Sequence, residues 1–246
     1  MKITKKILLT IAMTMALGTS AFAASGFEFI LNVPLGIGIG IPTKTEKNSF
    51  VESVKVGSGV GFDGGVTAQL GYMISVSDGF GISVLGELGY AHSTRSLTIK
   101  SEEAGVKMTS SITYSFESLQ IGLLPKFNIG AFAIGIGGGV KIPMAGQLWQ
   151  KLKVGDAEIF NTKDKLKMKD IKDEYSPAVI GYIKGTFDYS IFFTDNLAFN
   201  IGLYLEYDML KTKAVPATEF DAEQKSEMQG IFDIGIELGL KFGPKA

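Results

Sequence analysis

In residues 27–41 every odd position is large and apolar and the even ones are mostly polar or tiny. Phe27, Phe29, Leu31, Val33, Leu35, Ile37, Ile39 and Ile41 occupy the odd positions, and the even ones carry Glu28, Asn32, Gly36, Gly38 and Gly40. In a β-strand successive side chains point to opposite faces, so this segment has one apolar face and one face of glycine and polar groups. A strand of that kind must lie against something large and apolar, either a packed core or a lipid bilayer.

The pattern returns seven more times. A second segment covers about Val60 to Met73, with Phe62, Val66, Ala68, Leu70 and Tyr72 opposite Asp63, Thr67 and Gln69. A third, Phe80 to His92, sets Ile82, Val84, Leu88 and Tyr90 against Ser83, Glu87 and Gly89. The fourth begins with Tyr114 and Phe116 on even positions and continues on odd ones, Leu119, Ile121, Leu123, Pro125 and Phe127. That change of phase predicts a β-bulge near Glu117-Ser118. The fifth and sixth are centred on Ile136 and Phe187, the seventh on Leu203, and the eighth runs from Phe232 to Phe242.

The connections alternate as well. Ser77-Asp78-Gly79, Asn128 to Ala131 and Thr194-Asp195-Asn196 read as tight turns. The connections after segments one, three, five and seven are long and polar, the longest being about Gly146 to Ser176, where a short amphipathic helix is an option. Short turns at one end and long loops at the other predict an all-β, eight-stranded antiparallel up-and-down transmembrane barrel. It would cover residues 24–246.

Ahead of it, Lys2, Lys5 and Lys6, the apolar stretch Ile7 to Leu17 and Ala21-Phe22-Ala23 predict a signal peptide over residues 1–23. The absence of cysteine excludes a disulfide framework, and a net charge of −1 gives no bulk attraction to nucleic acid.

A soluble lipocalin-like barrel alternates too, with its apolar residues inside. Bulk argues against it: at roughly six large apolar side chains per segment, nearly fifty would have to share an interior that holds few. Glycine, 31 residues in all, crowds the other face, where a narrow lumen would need it. That same face carries Glu28, Asp63, Glu87, Lys126, Lys141, Lys184, Asp188, Glu206, Asp233, Glu237 and Lys241, a mixed-sign set expected to pair as a lumen charge network. Aromatics near both segment ends, Tyr90, Tyr114, Phe116 and Tyr207 on the long-loop side, suggest two interfacial belts.

With its leader, eight segments, turn asymmetry and aromatic last strand, the chain resembles the small bacterial outer-membrane barrels of the OmpX, OmpW and OmpA membrane-domain type. The resemblance implies location in the outer membrane, contact with its lipids, insertion by the barrel-assembly machinery and a structural or surface-interaction role through the loops. An OmpW-like barrel would instead be a narrow pore for small or apolar solutes. Members usually end on an aromatic residue; here Phe242 is followed by Gly243-Pro244-Lys245-Ala246.

No cofactor or metal set is legible. A lipid-modifying enzyme would need a base beside a nucleophile. The one histidine, His92, adjoins Ser93 and Thr94, but it shares the lipid-facing parity whereas Glu87 faces inward. The two point apart, so the chain is expected not to be an enzyme.

Overall fold

A computed structural model describes residues 25–41, 54–103, 105–175, 178–213 and 228–246. The expected signal peptide and the polar loop after the seventh segment lie outside the described residues. Among the described residues ten strands and one helix follow in order: β1 (Gly26–Ile41), β2 (Val54–Ser58), β3 (Val60–Ser77), β4 (Phe80–Glu103), β5 (Val106–Ile129), β6 (Phe132–Val154), β7 (Ala157–Lys167), α1 (Met168–Glu174), β8 (Ile180–Thr194), β9 (Leu197–Lys211) and β10 (Met228–Phe242).

Eight of the strands close a ring. β1 pairs β3, β3 pairs β4, and the chain continues β4–β5–β6–β8–β9–β10, each pair antiparallel. β10 then pairs β1, from Phe29 with Phe242 to Ile41 with Gly230. The three predicted tight turns are the β3–β4, β5–β6 and β8–β9 connections. Gly79 and Gly130 adopt positive φ there, at 73° and 58°, a region glycine enters without steric cost.

The two faces separate as the alternation requires. Leu31, Ile37, Leu70, Leu88, Leu123, Ile136, Leu203 and Ile236 are exposed on the outside, while acids, lysines and amides are buried inside. A soluble barrel with an apolar interior is thereby excluded. Water would penalise so large an apolar outer surface, and hydrocarbon would not. Aromatics gather at the tight-turn end, where Phe132 lies 5.7 Å from Phe187 and 4.8 Å from Tyr189 between ring centroids.

At the other end the structure departs from expectation. Ser93 to Ser110 is not a loop: β4 and β5 stay paired from Phe80 with Ile129 up to Glu103 with Val106. Much of the stretch from Gly146 to Ser176 is likewise strand, the upper half of β6 pairing with β7, followed by α1. β2 joins β4 from Ser58 with Leu97 to Val54 with Ser101. One side of the barrel thus rises into a five-stranded sheet ordered β2-β4-β5-β6-β7. Above His92, β4 alone has eleven more residues, roughly 35 Å of strand.

The predicted bulge exists at the expected level but in the neighbouring strand. Glu117 pairs Ala145 and Ser118 pairs Pro143, so Met144 of β6 is the extra residue. β5 itself keeps its phase. Phe116, completely buried, points inward with Ser118 and Gln120. Tyr114 stacks on it, with centroids 6.3 Å apart. These two rings therefore leave the expected lipid belt and line the barrel mouth.

Candidate functional site: a charged lumen and its apolar lid

All eleven residues of the expected network lie inside the barrel, none more than 6 % exposed. They sit in layers. Nearest the tight turns, Lys241 Nζ is 2.7 Å from Glu28. Ser83 donates to the same carboxylate, and Asn128 Nδ2 donates to Ser83 at 2.8 Å. One layer up, Lys126 Nζ meets Asp188 at 2.8 Å.

The central layer is the most densely bonded. Lys184 Nζ lies 2.5 Å from Glu237 and 3.5 Å from Glu87. Gln69, Gln120 and the Tyr182 hydroxyl donate to Glu87 at 2.9, 2.5 and 3.0 Å, and Asn32 donates to Glu237 at 3.2 Å. Such pairing offsets the desolvation that isolated charges would suffer.

Above it, Lys141 Nζ bonds Glu206 at 2.5 Å and Asp208 at 2.8 Å. Glu206, Asp208 and Asp233 lie close enough to suggest a cation site, but the ammonium of Lys141 already serves two of the three. Asp63 and Asp233 converge over Gly38, where a side chain would collide with both carboxyls. The Thr94 backbone N–H donates to Asp63 at 2.7 Å.

Two members were missed from the sequence. Asp208 shares its parity with Glu206, and Arg95 shares its parity with Glu87. Carrying the alternation two residues further along β9, and into the stretch read as loop on β4, finds both. Arg95 is buried beside the Phe116 ring, its guanidinium 5.8 Å from the centroid.

Phe116 belongs to a lid. Phe116 of β5, Ile180 of β8 and Leu210 of β9 pack with Ile171 of α1 and with Tyr175 in one apolar cluster. Tyr175 bridges Thr212, and the Lys213 N–H donates to the Glu174 carbonyl at 3.0 Å, tying the end of α1 to β9. Burial first, and then the adjacent Glu174 carboxylate, raises the Tyr175 hydroxyl above the ordinary phenol range, so it stays neutral in the lid.

Glycine makes the lumen floor. A side chain on Gly122 would collide with the Tyr182 hydroxyl, and one on Gly36 with that of Tyr204. Both tyrosines fill the bore. The void lined by Asp63, Gln120, Lys141, Lys184, Tyr204, Glu206 and Asp233, among others, measures about 30 Å³. That holds about two waters at ~10–15 Å³ each. Gly122→Val is expected to displace Tyr182 from Glu87 and cost about 1–3 kcal/mol, measured by urea unfolding in lipid vesicles.

His92 is outside the lumen. It pairs across the β4–β5 ladder with Glu117, their side chains 29 % and 30 % exposed, and Glu87 faces the opposite way. The carboxylate that sequence reasoning tested was therefore not the one that meets it.

No protein-family model and no curated protein matches the chain. Among solved structures it is similar to the attachment invasion locus protein Ail of Yersinia pestis, at 12 % identity over 88 % of this chain and 99 % of that one, with a TM-score of 0.33. It is also similar to the outer membrane protein OprG of Pseudomonas aeruginosa (14 %, 88 % and 96 %, TM-score 0.32). A further similarity is to the outer membrane protease OmpT of Escherichia coli (8 %, 92 % and 99 %, TM-score 0.35). At these values the likeness is one of fold alone. A barrel with this apolar wall spans a membrane.

Proposed function

We propose that this chain is an outer-membrane barrel whose work is done at its surface. The barrel anchors and stabilises the envelope, and the five-stranded sheet above the mouth recognises an extracellular partner. The observation that carries this reading is the combination of a closed lumen with a wall extended far beyond the bilayer. Lys126, Lys141, Lys184 and Lys241 are each spent on lumen carboxylates, and the lid covers the mouth, so the interior serves the stability of the wall. The projecting sheet carries exposed Ile159 and Phe160 near the β6–β7 tip and exposed Lys163, Lys165 and Lys167 along β7, whose outer edge has no partner strand among the described residues. Edge lysines discourage strand addition, and the apolar tip offers contact area. The chain's other partners are outer-membrane lipids around the wall and, during insertion, the assembly machinery acting on the strand that ends at Phe242.

Replacing residues 149–163 by an Asn-Gly turn tests the reading. The shortened barrel is expected to keep its heat-modifiable mobility on gels, while adhesion of cells bearing it to immobilised matrix proteins and glycans falls at least tenfold. Unchanged adhesion would refute the role. In planar bilayers the intact protein is expected to show no steady conductance. Steady steps whose ion selectivity changes in Lys141→Glu would replace this reading with that of a narrow pore.

A further inference from the structure

Toward the long-loop end the apolar outer face of the barrel gives way to a polar group. Where β4 and β5 leave the bilayer, Tyr90, His92, Thr94 and Glu117 form a continuous hydrogen-bonded group on the outer face. His92 Nδ1 lies 2.8 Å from Glu117 Oε1, and His92 Nε2 lies 3.3 Å from the Thr94 hydroxyl. The Tyr90 hydroxyl donates to the other Glu117 oxygen. The carboxylate is thus held from two sides and in turn holds the imidazole. With Nδ1–H donated to Glu117, the lone pair of Nε2 faces the Thr94 hydroxyl. That is the order nucleophile, base, orienting acid.

The site is open. Its cross-strand neighbours on the same face are Gly64 on β3 and Ala145 on β6; the Phe62 ring lies over Gly64 with its centroid 6.3 Å from that of the imidazole, and the His92 and Glu117 side chains stay 29 % and 30 % exposed. Beside Gly64 the β1–β3 ladder is interrupted: Asn32 pairs Thr67, and the next pair is Leu35 with Gly64.

Its height selects a substrate. His92 stands twelve residues above Phe80, an axial rise of ~30 Å for a strand tilted by ~40°. A hydrocarbon layer is ~25–30 Å thick, so the group lies at the outer headgroup boundary. Acyl esters of lipids sit at that boundary, with their chains directed along the wall below, toward Val66, Leu88 and Ile121.

We propose that Thr94, His92 and Glu117 form a hydrolytic triad that cleaves an acyl ester of an outer-leaflet lipid. Thr94 Oγ1 attacks the ester carbonyl carbon while its proton passes to His92 Nε2. The carbonyl carbon–oxygen bond to the alcohol then breaks, and the imidazolium returns the proton to the departing alkoxide, leaving an acyl-threonine. Interfacial water, deprotonated by His92, adds to that ester. Its collapse releases a fatty acid and restores the Thr94 hydroxyl, for a net ester plus water giving acid plus alcohol. Glu117 and Tyr90 position the base. The inference goes beyond the surface-recognition reading and stands or falls separately from it.

The test uses the full-length mature protein folded in detergent micelles, with heat-modifiable mobility verifying each variant. Fatty acid release is read by mass spectrometry from phosphatidylethanolamine vesicles and, separately, from purified lipopolysaccharide; whichever lipid yields acid identifies the source. His92→Ala and Thr94→Ala are expected to lower release at least ~100-fold, and Thr94→Ser to stay within about tenfold of wild type. An alkyl fluorophosphonate is expected to label residue 94 in the wild type and in Thr94→Ser, and to leave His92→Ala unlabelled. Release from neither lipid, or release unchanged in Thr94→Ala, overturns the proposal.

Discussion

Lys184→Met is expected to destabilise the folded barrel by about 3–5 kcal/mol, the cost of leaving buried carboxylates without their cation. Lys184 is the cation shared by Glu237, at 2.5 Å, and Glu87, at 3.5 Å, and all three are buried. The two acids do not suffer equally. Glu87 keeps three neutral donors, Gln69, Gln120 and Tyr182, whereas for Glu237 the Asn32 amide remains. Most of the loss therefore falls on Glu237, and adding Glu237→Gln to Lys184→Met should recover at least half of it. Urea unfolding in lipid vesicles, followed by tryptophan fluorescence or gel mobility, measures both. A single variant as stable as the wild type would show that the network does not support the wall.

The second large effect concerns what lies outside. Leu203, midway along β9, and Ile159, on β7 of the projecting sheet, are almost equally exposed, at 59 % and 62 %. Leu203→Arg is expected to cost about 2–4 kcal/mol, because it places a charge in the middle of the hydrocarbon. Ile159→Arg is expected to stay within about 0.5 kcal/mol, as an ordinary surface change in water. Exposure alone predicts no difference between the two; only a bilayer around β9 does. Equal effects in the same unfolding measurement would remove the lipid from this account.

Legibility in the sequence tracked the solvent. Where one face meets lipid and the other a crowded lumen, side chains differ sharply in kind, and parity is plain at Leu31, Leu88, Ile134 or Leu203. Beyond the headgroups both faces meet water. Ser96, Thr98, Thr109, Ser110 and Ser111 then suit either side of a strand, so a continuous hairpin read as a polar loop. Arg95 was lost with it. At Phe116 the same parity was misread because an apolar ring points inward to the lid, and the bulge inferred from it belongs to Met144 of the adjacent strand.

The alternation by itself determined the ring of eight strands, the face that meets lipid, the ends at which the chain turns tightly, and eleven of the lumen charges. It could do so because strand geometry ties each residue's side to its position in the chain, one by one. Which charges meet is a matter of register between strands far apart in sequence. Only the folded ring decides that Lys184 serves both Glu87 and Glu237, that α1 and Tyr175 close the mouth, and that His92 finds Glu117 rather than Glu87. Parity says which way a side chain points; what stands beside it is settled by closure.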